Sequence, residues 1–176
     1  MAEPVAAQIA VCRRSPTMTS TLSREAARAK FFELREAEGL VDDAVLDTVW
    51  AGLATLRPEE MLGAWKGGEF TTGHAINGML GKANWFGKTF TSRSDVQPLV
   101  CRDEDGKLFS NVELGKGEAS LWAVEFRGEL TASMVYDGQP VIDHFKRVDD
   151  TTVMGIMNGK GGVIDGRHLY FYLERV

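Results

Sequence analysis

Apolar positions recur at two different spacings along this chain of 176 residues, and the change falls near residue 62. Before it the spacing is helical. Ser23 is a natural cap, Glu25 stands in the first turn, AARAKFFELREAE continues with good helix formers, and Gly39 offers a left-handed stop. Asp42 starts a second helix, in which Leu46, Val49, Trp50 and Leu53 form one apolar stripe. Pro58, Glu59 and Glu60 predict one more turn, ending at Gly63. After residue 62 the period is two. Ser120, Trp122, Val124 and Phe126 alternate with Ala119, Leu121, Ala123 and Glu125. Leu130, Ala132, Met134 and Tyr136 alternate with Thr131, Ser133 and Val135. Other strand-like runs are 85–91, 95–102, 107–112, 141–148, 151–157 and 168–175. Turn signals separate them at Asp105-Gly106, Arg127-Gly128, Asp137-Gly138, Asp149-Asp150 and Asn158-Gly159. Many short strands with tight turns predict an antiparallel meander, as a barrel or a sandwich. The exception, GHAINGMLG at 73–81, reads as a short helix or loop suited to plugging one barrel end.

The expected organisation is therefore a disordered extension over 1–20, with Met18 an alternative start, a helical unit over 21–62, and an antiparallel β domain over 63–176. Two or three short helices precede the strands, and the fold class is mainly β. The helical pair is expected to pack on the β domain.

Turn length predicts which face looks inward. A two-residue turn at 137–138 or 138–139 puts Met134 and Tyr136 on one face with Val141, Asp143, Phe145 and Arg147. A two-residue turn at Asp149-Asp150 adds Met154 and Ile156 to that face. A three-residue turn would reverse the parity beyond it. This apolar face is the expected interior, with Asp143 and Arg147 as its polar members. His144 then points the opposite way from Asp143, so the two cannot form a side-chain dyad on a regular strand.

Composition narrows the function classes. The net charge is −5, so no basic surplus exists for a phosphate backbone, and no nucleic-acid partner is expected. No apolar run suits a membrane span. The two cysteines, Cys12 and Cys101, read as free thiols in a reducing compartment, and the expected location is the cytoplasm. His74, His144 and His168 are too scattered for a metal centre, and neither a metal nor a cofactor is expected. Haem on His74 or His144 is the exception weighed; an ordinary hydrogen-bonded imidazole is the simpler account. GKGG at 159–162 runs from strand to strand and lacks a phosphate-loop context. Ser110 and Ser120 lack a nucleophile elbow.

GAWKG at 63–67 opens the β region. Trp65 is large enough to close a small barrel, and Gly63 and Gly67 let neighbouring backbone approach it. NWFGKTF at 84–90, YDGQPVIDHFKRVDDTTVMGIMNGKG at 136–161 and the terminal YFYLERV accompany it. In these pieces the chain resembles, over roughly residues 22–176, the proteins named for their GXWXG motif, which continue into a C-terminal domain of unknown function. The resemblance implies a calycin-like, lipocalin-shaped barrel. In such barrels the first-strand Trp packs under an Arg of the last strand, which here pairs Trp65 with Arg175 and places Leu169, Phe171 and Leu173 inside. It implies no particular reaction.

The expected function is the binding of a small hydrophobic ligand, such as a lipid, terpenoid or polyketide-like molecule, in a barrel cavity. Its candidate lining is Trp65, Trp85, Trp122, Phe126, Met134, Phe145 and Met154, with Tyr136, Asp143 and Arg147 orienting the polar end. An inward carboxylate needs a partner or a proton, so Asp143 is also the candidate acid/base of an alternative reading. That reading is a cofactor-independent isomerase, cyclase or dehydratase. A third is a protein-interaction module using the helical face around Trp50.

Overall fold

The computed structural model describes residues 21–176. The extension expected over 1–20, with Cys12 and Met18, lies outside the described residues. Helix α1 spans Arg24–Arg35, and the Ser23 hydroxyl accepts from Ala26 N–H. It stops short of Gly39, because the N–H of Glu36 already turns back onto the carbonyls of Phe32 and Leu34. Helix α2 spans Asp43–Gly52, capped by the Asp42 carboxylate on Ala44 N–H. A two-residue strand β1, Ala54–Thr55, and a 3-10 turn at Pro58–Met61 follow.

The β domain then runs as β2 Gly63–Glu69, helix α3 Met79–Lys82, β3 Trp85–Phe90, β4 Val96–Arg102, β5 Leu108–Ser110, helix α4 Val112–Gly115, β6 Ala119–Phe126, β7 Glu129–Tyr136, β8 Ile142–Arg147, β9 Thr152–Asn158 and β10 Leu169–Arg175. Strands β2, β3, β4, β6, β7, β8, β9 and β10 pair antiparallel in that cyclic order, and β10 returns to β2. The result is a closed eight-stranded meander barrel. β1 adds to β8 and β5 adds to β4. Closure leaves no edge within the ring. Arg127-Gly128 makes the tight β6–β7 turn, with both residues at positive φ, as a twist-matched two-residue hairpin demands.

Two apolar cores result. The interior holds Trp65, Phe90, Leu121, Met134, Phe145, Phe171 and Leu173 with smaller neighbours. The second core lies outside the barrel, beneath α1 and α2, and joins Phe31, Leu46, Val49 and Trp50 to Phe70, Met154, Ile156 and Tyr170. Fully burying each such side chain contributes about 1.5–3 kcal/mol, which fixes the helical pair to the wall. Trp50 is 1% exposed, so the face proposed above as a partner surface is the face that the barrel covers.

Met154 and Ile156 correct the predicted register. Arg147 pairs with Val153 and Phe145 with Gly155. Val148 N–H donates to the Thr152 carbonyl, so the turn is the three residues 149–151, shaped by Asp149 Oδ1 accepting from Thr151 N–H. One residue more than the two-residue turn reverses the parity. Val153 and Met157 therefore face inward, and Met154 and Ile156 face the helices.

The outer wall also holds His144, 1% exposed and stacked on Phe126 at 4.0 Å. Asn158 Nδ2 donates to its Nε2 at 3.3 Å, so Nδ1 carries the proton and faces Ser133 Oγ at 2.8 Å. This arrangement suits a neutral ring. Burial, with His168 and Arg127 nearby, lowers its pKa to about 4. Between the ordinary value of about 6.5 and 4, the unfolded chain takes up a proton that the native ring refuses. Native stability is therefore expected to fall with pH across that window, by up to about 3 kcal/mol. Urea melts at pH about 7 and about 4.5 check this. Equal losses in wild type and His144→Gln would assign the acid sensitivity to other groups.

Candidate functional site

Inside the barrel, two charged side chains meet where an apolar core is expected. Lys88 on β3 and Asp143 on β8 lie on opposite walls, and Nζ reaches Oδ2 at 2.9 Å, with side chains 3% and 2% exposed. Nζ also faces the Pro98 carbonyl at 3.2 Å and the Tyr136 hydroxyl at 3.4 Å. The rings of Trp85, Tyr136 and Phe171 surround the ammonium at 5.2–5.6 Å. These aromatic faces favour a cation.

Lys88 follows plain alternation with inward Phe90 and lies opposite inward Trp65; it escapes sequence reading because a lysine is almost never fully buried. On a regular strand, Trp85 and Lys88 would point to opposite faces. The β3–β4 register slips twice, around Gly87, and the slip lets Trp85 turn to the same side as Lys88. A methyl group at Gly87 would strike the Trp65 carbonyl oxygen, so the strands come this close only with glycine there. Gly67 serves the same cluster, since its missing side chain leaves room for the Trp85 indole.

A cavity of about 40 Å³ lies against this group. Trp85, Lys88, Tyr136, Asp143 and Phe171 line it, together with Ile76 from the segment leading into α3 and Leu80 from α3 itself. Two buried polar atoms beside it have no protein partner, Asp143 Oδ1 and Trp85 Nε1. Burial raises the Asp143 carboxyl above the ordinary range, although Lys88 opposes the rise. Burial, reinforced by the Asp143 charge, raises the Tyr136 hydroxyl well above its ordinary value, so it stays a phenol. The pocket thus presents a carboxylate acceptor, a phenol and an indole N–H to whatever occupies it.

The other predicted residues separate. Met134 and Phe145 belong to the interior core. Trp65 forms the opposite end, with its Nε1 donating to the Met61 carbonyl at 2.7 Å and the Arg175 guanidinium 4.2 Å from the ring centroid. Arg175 donates to the carbonyls of Leu62 and Glu60. Gly63, at φ +122°, leaves room for the guanidinium, which a Cβ would meet at 2.9 Å. Arg147 is also at that end, paired with Glu60, and takes no part in the Asp143 cluster. Trp122 points outward and is 56% exposed, because its strand partner face is set by inward Ala119 and Leu121. Phe126 lies on the outer wall against His144. Met154 is outside for the register reason above.

None of the three histidines lines the cavity. Among the described residues no group of three or more His, Cys, Asp or Glu side chains converges as a metal site. No helix there is long and apolar enough to cross a membrane.

The chain is similar to a protein from Thermomonospora curvata whose crystal structure is known. The two share 41% identity and a TM-score of 0.77, over 85% of this chain and 98% of that one. No curated protein matches. Residues 48–106 match the family model described as GXWXG protein, and residues 117–175 match the one described as a domain of unknown function, DUF4334. With Trp65 in its glycine frame and the long β7–β9 stretch both inside the matched segments, the chain belongs to the family of GXWXG proteins that carry a DUF4334 domain.

Proposed function

We propose that the barrel binds a small, mainly apolar molecule in its interior, with the polar end of that molecule on Asp143, Tyr136 and Trp85. The observation that carries this is Asp143 Oδ1, buried and without a protein partner, on a residue that lines an apolar cavity. A buried acceptor left unsatisfied costs about 1–3 kcal/mol, which a ligand donating to Oδ1 recovers. The donor and acceptor set suits a ligand carrying one hydroxyl or carbonyl group on a hydrocarbon body, of which terpenoid, lipid and polyketide-like molecules are examples. A cavity of about 40 Å³ accommodates the polar end only. The body of a larger ligand enters by displacing Ile76 and Leu80, which are only partly buried.

Calorimetric titration with a panel of terpenoid alcohols and ketones tests the assignment. Asp143→Asn is expected to weaken every ligand that wild type binds by roughly ten-fold or more, as loss of a hydrogen bond to a charged group does. Unchanged affinity in Asp143→Asn would remove Asp143 from the site. The same carboxyl, raised by burial and beside a phenol, also suits acid/base work on a bound ligand.

A further inference from the structure

We propose that Lys88 holds a small aldehyde or ketone as an imine, which makes the barrel interior a carbonyl-activating site. The inference rests on the interior-binding reading above and adds a ligand class and a covalent step. The geometry behind it is the placement of a lysine amine at the wall of an apolar cavity, 2.9 Å from a carboxylate and within reach of a phenol. A lysine placed only for stability is hard to explain here. Burying two ions costs several kcal/mol each, and apolar side chains of similar volume serve a core equally well or better. An imine-forming lysine needs this setting: a desolvated amine, a neighbouring base and a proton donor.

The step balances without a co-reactant. The Lys88 ammonium passes one proton to the Asp143 carboxylate, which removes both buried charges at once. The freed nitrogen pair forms a C–N bond to the carbonyl carbon, and the carbonyl oxygen takes a proton from Tyr136. The nitrogen, now cationic, gives one of its two protons to the Tyr136 phenolate and regains its pair. The carbinolamine hydroxyl then takes the proton held by Asp143 and leaves as water while that pair forms the C=N bond. The one N–H proton left stays on nitrogen, and Tyr136 is again a phenol. Overall, ammonium and carbonyl give protonated imine and water. Asp143 ends as a carboxylate beside the cation, placed to remove a proton from the adjacent carbon. The raised Asp143 and Tyr136 values suit these proton-holding roles.

Reductive trapping tests the step. Wild-type protein is treated with hexanal and sodium cyanoborohydride, digested, and each lysine is scored for the added hexyl group by peptide mass. Lys88 is expected to label roughly ten-fold faster than exposed Lys66, Lys107 or Lys160. Lys88→Met loses that adduct only. Labelled surface lysines with Lys88 untouched would overturn the imine. Equilibrium dialysis of 1-hexanol against the same protein separates the two readings. Binding of 1-hexanol with no Lys88 adduct overturns the imine and keeps the apolar-ligand reading; absence of both removes both.

Discussion

Replacing Lys88 by Met and Asp143 by Leu in one chain is expected to cost less stability than either replacement alone. The pair is enclosed on every side, at 2.9 Å, with side chains almost fully buried. Removing one partner leaves the other as an uncompensated buried charge, which costs about 3–5 kcal/mol. Asp143→Leu strands the ammonium against one carbonyl and one phenol. Lys88→Met is the milder single change, because Asp143 can take up a proton, the direction in which burial already pushes it. The double replacement removes both charges and leaves an apolar pair of similar volume, which is often neutral or stabilising. Urea melts of the four proteins give the coupling as a double-mutant cycle. Single losses that simply add would show that the two side chains are independent and that no buried pair exists. A double variant as stable as wild type but unable to bind ligand would assign the pair to function.

Trp65→Ala is expected to cost about 3–5 kcal/mol, the range for deleting a large aromatic from a core. The indole fills the barrel end opposite the cavity, donates to Met61 and lies under Arg175. Arg175 in turn ties the 3-10 turn to the last strand through the carbonyls of Leu62 and Glu60. Losing Trp65 therefore removes packing, one hydrogen bond and the surface on which the guanidinium rests. Arg175→Lys keeps the charge but not the fork of donors, and is expected to lose about 1–2 kcal/mol. Because the two side chains touch, the combined loss should fall short of the sum. Thermal melts of the three variants check this. A Trp65→Ala protein within about 1 kcal/mol of wild type would show that barrel closure does not depend on the indole.

Much of this architecture could be read from residue pattern. The helix caps at Ser23 and Asp42, the apolar stripe of α2, the turn at Arg127-Gly128 and the plugging segment near 73–81 all follow from local chemistry. The inward set Ala132, Met134, Tyr136, Asp143 and Phe145 also follows, because the β7–β8 turn preserves the parity assumed for it. Two places defeated the same reasoning, for different reasons. The third residue in the 149–151 turn carried Met154 to the outside. Lys88 is inside by alternation with Phe90 and by pairing with Trp65, and its charge hid it. Period-two alternation holds no record of a bulge, so the slip around Gly87 that turns Trp85 to the same side as Lys88 cannot be read from NWFGKTF. Trp122 shows the converse limit, since large and apolar does not mean inward on a strand whose other face carries Ala119 and Leu121. The most consequential part of the site was thus the least legible.

Native mass spectrometry of the protein purified from its own host, beside the Asp143→Asn variant produced there, addresses the central claim that the Lys88–Asp143–Tyr136 pocket holds a small molecule. The expected spectrum shows wild type carrying an added small mass that denaturation releases and that Asp143→Asn lacks or carries in much lower yield. A wild-type spectrum with the polypeptide mass alone, or an added mass retained equally by Asp143→Asn, would contradict it.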